Sequence, residues 1–301
     1  MTPGVRRRIA QAALAMSLDI RARPELDFDT RMPVDIYDVC HALGVPVQFV
    51  DINMEGMYVK HPPRILISAL RPYPRRVFTC AHELGHHVFE HGSTIDELVE
   101  GAASERQVDP NELLVQLFAG FMLMPVLGVS RAFSSRGWDI RQVGPAEFLT
   151  VACSFGVSYA ALLTHMSASL EVLSARRAQE LGRIPLPKVR ELAVGLRLHD
   201  PLVLVDRFWQ LPTIDVECNT YILFPAGSAI IDEGAVLQYA GIVAGRPLLR
   251  ADKPGVCKIV YEADQESVTR LVRVARFQYV GLSRYRYLPC QDDRDEEEEE
   301  M

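Results

Sequence analysis

The stretch RRVFTCAHELGHHVFEHG, residues 75–92, contains the pattern HExxH at His82, Glu83 and His86. Apolar side chains recur along it, Pro74 precedes it and Gly92 can end it, so the spacing predicts a helix that closes at Gly92. Side chains four positions apart are neighbours on one face of a helix. Two imidazoles with this separation can both reach one zinc ion at about 2.0–2.1 Å. The stretch therefore predicts a helix that carries a metal site.

Glu83 directly follows the first histidine, and we interpret it as a general base rather than a ligand. It can take a proton from a water molecule whose pKa the metal lowers to about 7. Gly85 lowers helix propensity by about 1 kcal/mol relative to alanine, and we expect another element to approach the helix closely there. The alternative is that both histidines are ordinary surface or core residues, because HExxH also arises by chance.

A second helix is predicted to begin at Asp109 and Pro110. Asp109 can serve as the N-cap and Pro110 suits the first helical position. The body of this helix is apolar on nearly all sides, so we expect it to be deeply buried, and Pro125 ends it. Glu112 stands three residues after Asp109, where its side chain can close a capping box.

Residues 145–168 have the length and pattern of a helix-turn-helix, with Ser158 as the N-cap of the second helix. That second helix offers Tyr159, Ala160 and Thr164 but no arginine or lysine. We therefore expect it to pack within the protein or to dock a protein substrate. DNA reading through this unit is the weaker alternative.

Strand-forming stretches occur in two parts of the chain. Short β-type runs are predicted at residues 45–50, 57–60 and 64–68, separated by glycine and proline. From about residue 200 to 290 the sequence alternates between apolar and polar residues and is rich in β-formers. This second part predicts a mostly antiparallel sheet domain.

The net charge of −7 comes entirely from the C-terminal tail, residues 291–301, which holds eight acidic side chains and one basic side chain. A run of like charges repels itself and stays solvated, so we interpret the tail as disordered. The rest of the chain is neutral overall and lacks the positive excess of a nucleic-acid-binding protein. Direct nucleic-acid binding is therefore not expected.

The sequence also bears on the cellular compartment. No apolar run approaches the roughly 20 residues that cross a bilayer, so no membrane segment is expected. The six cysteines are scattered and form no CxxC pair. This distribution favours reduced thiols and a cytoplasmic protein over a disulfide-stapled secreted domain.

Four segments follow one another in an order that is typical of one protein family. They are VDIYDVCHALGVPVQFV with the later ILIS strand, RRVFTCAHELGHHVFEHG, ELLVQLFAGFMLMP and FGVSYAALLTHM. The second segment is similar to the pattern "RF-x-x-AHE-x-GH" and the third to "E-x-x-AN-x-FA-x-x-LLMP". Together they resemble the ImmA/IrrE peptidases over about residues 33–170. Four motifs in the same order are a specific signal.

The resemblance implies a zincin-like metallopeptidase that cuts DNA-binding repressors and so releases phage, mobile-element or stress-response genes. It implies Zn²⁺ as the cofactor, with His82 and His86 as ligands and Glu83 as the general base. It implies Glu112 as the third ligand, a role that competes with the capping box. The implied partner is a protein substrate, a helix-turn-helix repressor.

The chain departs from the family pattern at two positions. Val115 and Gln116 stand where the family usually has alanine and then asparagine or aspartate. Residue 116 is one turn beyond Glu112, where a side chain that orients a ligand would sit. Glutamine is longer and uncharged, so we expect weaker metal binding. The departure supports an alternative function, a peptidase-like regulator that binds a protein partner without cleaving it.

Other potential donors near the motif are not expected to bind the metal. His87 is rotated by about 100° from His86 on a helix. His91 is predicted near the helix C-terminus, where its N–H suits free carbonyls. Glu100 and Glu105 are interpreted as solvated charges of a loop.

We therefore predict an α+β fold in five parts. They are an N-terminal extension (1–30), a zinc-peptidase-like domain with a small sheet and the HExxH helix (31–127), a helix-turn-helix-like region with a connector (128–196), a β-rich C-terminal domain (197–290) and the acidic tail (291–301). One branch of the family carries a GAF-like sensor domain after the helical region, and we extend that analogy to the β-rich domain.

Overall fold

A computed structural model describes residues 2–23, 26, 32–93, 109–263 and 266–288. The predicted acidic tail, Glu100 and Glu105 lie outside these residues. The helices of the described chain are α1 (Pro3–Arg21), α2 (Ile36–Ala42), α3 (Tyr73–Val88), α4 (Pro110–Leu123), α5 (Val126–Ser134), α6 (Pro145–Ser154), α7 (Tyr159–Ala168), α8 (Ala175–Gly182) and α9 (Leu186–Val194). The first strands are β1 (Val47–Val50), β2 (Gly56–Val59), β3 (Arg64–Ser68), β4 (Leu202–Leu204), β5 (Thr213–Glu217) and β6 (Tyr221–Leu223). The remaining strands are β7 (Ala229–Ile231), β8 (Leu237–Val243), β9 (Arg246–Ala251), β10 (Gly255–Ala263), β11 (Glu266–Ala275) and β12 (Gly281–Leu282).

The strands of the N-terminal half form one sheet in the order β12-β1-β3-β2. β1 pairs with β3 in parallel, and β2 pairs with β3 in the antiparallel sense. The three short strands predicted before residue 70 are therefore confirmed, with ends that shift by one or two residues. In β1 the side chains of Val47 and Phe49 are buried and that of Gln48 is exposed, as expected for a sheet with one covered face.

Helix α4 lies at the centre of the helical core, in contact with α1 on one side and α3 on the other. Its N-cap is Asp109, whose Oδ1 accepts a hydrogen bond from the backbone N–H of Asn111 at 2.8 Å, as predicted. α1 comes from the segment predicted as an N-terminal extension. The guanidinium of its buried Arg21 donates two hydrogen bonds to the carbonyl oxygen of Met122, at 2.7 and 3.1 Å, so α1 is tied to the end of α4.

The helix-turn-helix-like unit consists of α6 and α7, whose axes bend by 96° at the break. Gly156 has a φ of +65°, and Ser158 caps α7 by accepting a hydrogen bond from Ala161 N–H. His165 of α7 donates from Nε2 to the carbonyl oxygen of Met124 at 3.0 Å. Burial lowers the pKa of His165 to about 4, so the ring is neutral at pH 7. Its hydrogen bond to Met124 fixes α7 against the end of α4.

The test for membrane helices gives a negative result for single elements. Within the described ranges, no individual helix has both the length and the apolar composition to cross a bilayer. The bent pairs α4–α5 and α6–α7 meet that test only when each pair is counted as one unit.

The C-terminal region is built from strands, as predicted. The strands form two four-stranded sheets, in the orders β5-β11-β10-β7 and β4-β6-β9-β8. Buried residues from both sheets make one core, which includes Ile214, Ile222, Leu249, Ile259 and Val272. No α-helix lies within the described residues from 202 to 288. The GAF-like analogy stays a prediction.

The C-terminal region is attached to the N-terminal half at three places. β12 adds to β1 as an antiparallel edge strand. Arg273 of β11 bridges Asp35, the N-cap of α2, and Asp215 of β5. Arg76 of α3 forms a buried ion pair with Glu217 at the end of β5. The contacts of β12 with β1, of Arg273 with Asp35 and of Arg76 with Glu217 join residues more than 100 positions apart in the sequence. They fix the β-sheet region against the N-terminal half, which includes the HExxH helix.

Candidate metal centre

Helix α3 brings the two histidines of the motif together, as the spacing predicted. Their Nε2 atoms lie 3.2 Å apart, and the rings meet edge to face with centroids 5.0 Å apart. His86 is fully buried and His82 is 8% exposed. The helix ends at Val88, earlier than the predicted end at Gly92.

Glu112, in the first turn of α4, completes a group of three donors. Its carboxylate oxygens lie 3.3 Å from His82 Nε2 and 3.6 Å from His86 Nε2. The three possible ligand atoms all lie within 4.8 Å of one another, so this group could hold a metal ion. The Glu112 side chain is 46% exposed, so the group is reached from solvent on that side.

The two helices can approach this closely because Gly85 faces α4. A Cβ atom at Gly85 would lie only 2.9 Å from Cβ of Val115 and 3.1 Å from the ring of Phe118. The expected close approach at Gly85 is thus confirmed. Val115, the first departure from the family pattern, packs on this glycine and is fully buried.

Glu83 lies next to His82 in the chain and is fully buried. Strand β2 passes directly over it: a Cβ atom at Gly56 would lie 3.0 Å from Glu83 Oε1 and 2.5 Å from Cγ2 of Thr79. No side chain fits between the strand and the helix at that point. The Glu83 carboxylate is therefore confined by β2, a role for Gly56 that the sequence did not suggest.

His91 lies just beyond the end of the helix, as predicted, but its ring contacts His86, which the sequence analysis did not anticipate. Glu90 adopts a φ of +58°, and the N–H groups of Glu90 and His91 donate to the carbonyls of His87 and His86. These two bonds form a Schellman motif, which folds the chain back over the last turn. The His91 ring consequently lies with Nδ1 at 3.0 Å from Nδ1 of His86, on the nitrogen that does not face Glu112.

Two other side chains near the motif point elsewhere. His87 Nδ1 lies 2.9 Å from the hydroxyl oxygen of Tyr58, and burial lowers the pKa of His87. Gln116, the second departure, is exposed and lines a cavity instead of supporting a histidine. At His86, the ring nitrogen that does not face Glu112 contacts His91 and not Gln116.

A cleft of about 1040 Å³ has His82 of the donor group in its wall. Its lining comes from α3, α4, the α6–α7 unit and the C-terminal strands. Tyr159, Ala160 and Thr164, the side chains that would read DNA in a helix-turn-helix, line this cleft. We call it the central cleft.

An HExxH helix packed on a helix that carries an acidic side chain is an arrangement typical of metallopeptidases, and the domain is metallopeptidase-like. Residues 40–167 match the family model described as the IrrE N-terminal-like domain, in the peptidase M78 family. The resemblance to the ImmA/IrrE family is thereby confirmed for this segment. The comparison with curated proteins finds no match.

Proposed function

We propose that the protein is a zinc-dependent metallo-endopeptidase that cleaves a DNA-binding transcriptional repressor. One observation carries the proposal: the donor atoms of His82, His86 and Glu112 converge within 4.8 Å of one another. His82 lies in the wall of a cleft that has room for a polypeptide segment, and the buried Glu83 follows it in the chain. Metal-assisted hydrolysis requires a metal site, a base and space for the substrate together.

The chemistry of the donors fits zinc. Two imidazole nitrogens and one carboxylate oxygen form a common ligand set of catalytic zinc sites, in which a further position stays open. His82, His86 and Glu112 would hold the ion, and the exposure of Glu112 keeps one side open to substrate. Zinc, when bound, supplies a Lewis acid that polarises the scissile carbonyl and activates water.

Glu83 acts as the general base in this proposal. Its carboxylate accepts the proton of the attacking water and delivers it to the nitrogen of the leaving amine. Proton transfer of this kind requires a side chain held in a narrow range of positions. The close passage of β2 at Gly56 supports the assignment, because it confines the carboxylate.

A repressor substrate is supported by the family match and by the size of the central cleft. The α7 side chains Tyr159, Ala160 and Thr164 line the cleft, where they can contact a bound polypeptide. Cleavage would take place in the cytoplasm, where the repressor acts, and would release genes of a stress or mobile-element response.

Zinc content tests the metal site. Protein purified without chelators is expected to contain about one zinc ion per chain, because three protein ligands hold catalytic zinc stably. His82→Ala and Glu112→Ala should each lose or weaken this binding, whereas His199→Ala, on the exposed surface, should keep it. Elemental analysis of the purified variants measures the effect.

The same measurement separates the proposal from its alternative. A wild-type protein without zinc, even after incubation with the ion, would contradict a zinc peptidase. The alternative function, a regulator that binds a protein partner without cleaving it, would then be favoured, and Gln116 would be its sequence signature.

His91 is expected to strengthen metal binding. If Nε2 of His86 binds the ion, its Nδ1 carries the hydrogen and donates it to Nδ1 of His91, which fixes the ring orientation. His91→Ala should therefore weaken zinc affinity by about 10–100-fold, as measured by competition with a chromophoric chelator. His91→Gln keeps an acceptor and should recover part of the loss.

The matched control is His87→Ala, because the His87 ring contacts Tyr58 and not the donor group. Equal zinc affinities for His91→Ala and the wild type would exclude the role of His91.

A further inference from the structure

We propose that the C-terminal two-sheet region forms one wall of the substrate cleft, and that Phe277 on this wall binds an apolar side chain of the polypeptide substrate. The inference rests on the proposed function and extends it to substrate recognition. It gives the C-terminal region a direct part in binding, in place of the separate sensing role that the sequence analogy suggested.

The central cleft is a composite of distant parts of the chain. His82, Leu113 and Leu117 line it from α3 and α4. Phe277, in the connection between β11 and β12, and Trp209 line it from the C-terminal region. Because His82 and Phe277 border the same cavity, a polypeptide that reaches the metal group can also contact the C-terminal wall.

The connection that carries Phe277 is held in place at both ends. On one side, the backbone N–H of Arg276 donates to the carbonyl oxygen of Arg286 at 3.2 Å. On the other side, the ring of Tyr279 meets Phe49 of β1 edge to face, with centroids 6.4 Å apart. The wall is therefore attached to the N-terminal sheet through β1 and does not depend on the C-terminal sheets alone.

The chemistry of the wall favours apolar ligands. Phe277 is 58% exposed although it borders a cavity, and two further large apolar side chains of the lining, Leu70 and Leu186, are 37% and 38% exposed. The acidic lining residues Asp215 and Glu217 are already ion-paired within the protein. Burial of the exposed part of a phenylalanine ring by a ligand side chain removes apolar surface from water and therefore strengthens binding.

Peptide binding by a variant that cannot cleave tests the inference separately from catalysis. Two fluorescein-labelled glycine-serine peptides serve as probes, one with a central Phe-Leu pair and one with a central Asp-Asp pair. Their anisotropy is titrated with zinc-loaded Glu83→Gln protein. We expect the Phe-Leu peptide to bind at least about tenfold more tightly than the Asp-Asp peptide, a difference of 1.4 kcal/mol.

A substitution in the same background locates the binding site. Phe277→Asp should weaken binding of the Phe-Leu peptide by about tenfold or more, and Phe277→Leu should retain most of it. The matched control is Tyr239→Asp on β8, which is 67% exposed in the same region but does not line the cleft. Because both side chains are exposed, neither replacement disturbs a core, and circular dichroism verifies folding.

The outcomes distinguish this inference from the proposed function. Equal binding of the two peptides, no saturable binding of the Phe-Leu peptide, or equal losses in Phe277→Asp and Tyr239→Asp would each overturn the role of the C-terminal wall. Selective loss in Phe277→Asp, together with a wild-type protein that cleaves no substrate, would support the wall and reject the peptidase function.

Discussion

Glu83→Gln is expected to abolish peptide cleavage and to leave zinc content close to that of the wild type. Glutamine has nearly the same shape as glutamate, so it fits the space beneath β2, where Gly56 leaves no room for a larger group. It cannot accept a proton at neutral pH, and removal of a general base typically lowers the rate by about 10²–10⁴-fold.

Two assays on the same preparation measure this prediction. Elemental analysis gives the zinc content, and electrophoresis of a repressor substrate gives the cleavage rate. Cleavage by Glu83→Gln at a rate near that of the wild type would contradict the base role. Loss of zinc together with activity would mean that Glu83 supports the metal site, since a base alone does not determine metal content.

Glu217→Ala is expected to lower the free energy of unfolding by about 3–5 kcal/mol, because it leaves the charge of Arg76 buried without its partner. The Arg76 side chain is only 3% exposed and that of Glu217 only 11%. Burial raises the pKa of Glu217, and the guanidinium of Arg76 opposes this rise. The guanidinium also lies 5.1 Å from the ring centroid of Phe49, in a site that offers little water.

The double replacement Arg76→Met with Glu217→Leu shows which cause lowers the free energy of unfolding in Glu217→Ala. The cause is either the lost attraction between the two side chains or the unpaired charge of the buried Arg76. Apolar residues of similar size often replace a buried ion pair without loss, so the double variant should be more stable than Glu217→Ala. Urea titrations give the free energies of unfolding. Glu180→Ala removes exposed pairs with Arg176 and Arg177 and should leave the free energy of unfolding close to that of the wild type. If Glu217→Ala changed the free energy of unfolding as little as Glu180→Ala does, the buried pair would contribute little to stability.

Arg76 lies six positions before His82 on the same helix, so the ion pair has a consequence for the site. It fixes the first half of α3 against the end of β5, while Gly85 and Val115 fix the second half against α4. The orientation of the HExxH histidines therefore depends on the C-terminal region as well as on the segment that matches the family.

Several features of the fold followed from the sequence because their causes are local. A capping side chain, a proline and the next few residues determine where a helix begins, and Asp109 and Pro110 were identified in this way. The spacing of His82 and His86 determines that they share a helix face. The low helix propensity of glycine likewise indicated the close packing at Gly85.

Two details of the site differ from the expectations. The end of α3 was predicted at Gly92, because glycine commonly stops a helix. Glu90 takes the left-handed conformation instead, and the Schellman motif that results turns His91 onto His86. Gln116 occupies the position where a side chain that orients a ligand was expected, but it faces the cleft. Helical periodicity gives the direction of a side chain and does not identify the surface that it meets.

The sequence by itself determined the HExxH helix, the buried helix that follows it, the helix-turn-helix-like unit and the strand-rich C-terminal region. Only the tertiary structure decided that β12 joins the first sheet, that Glu217 pairs with Arg76 and that Phe277 borders the same cleft as His82. The reason is physical. Propensity, capping and periodicity act over a few residues, whereas these contacts join distant segments whose partners are selected only when the whole core packs.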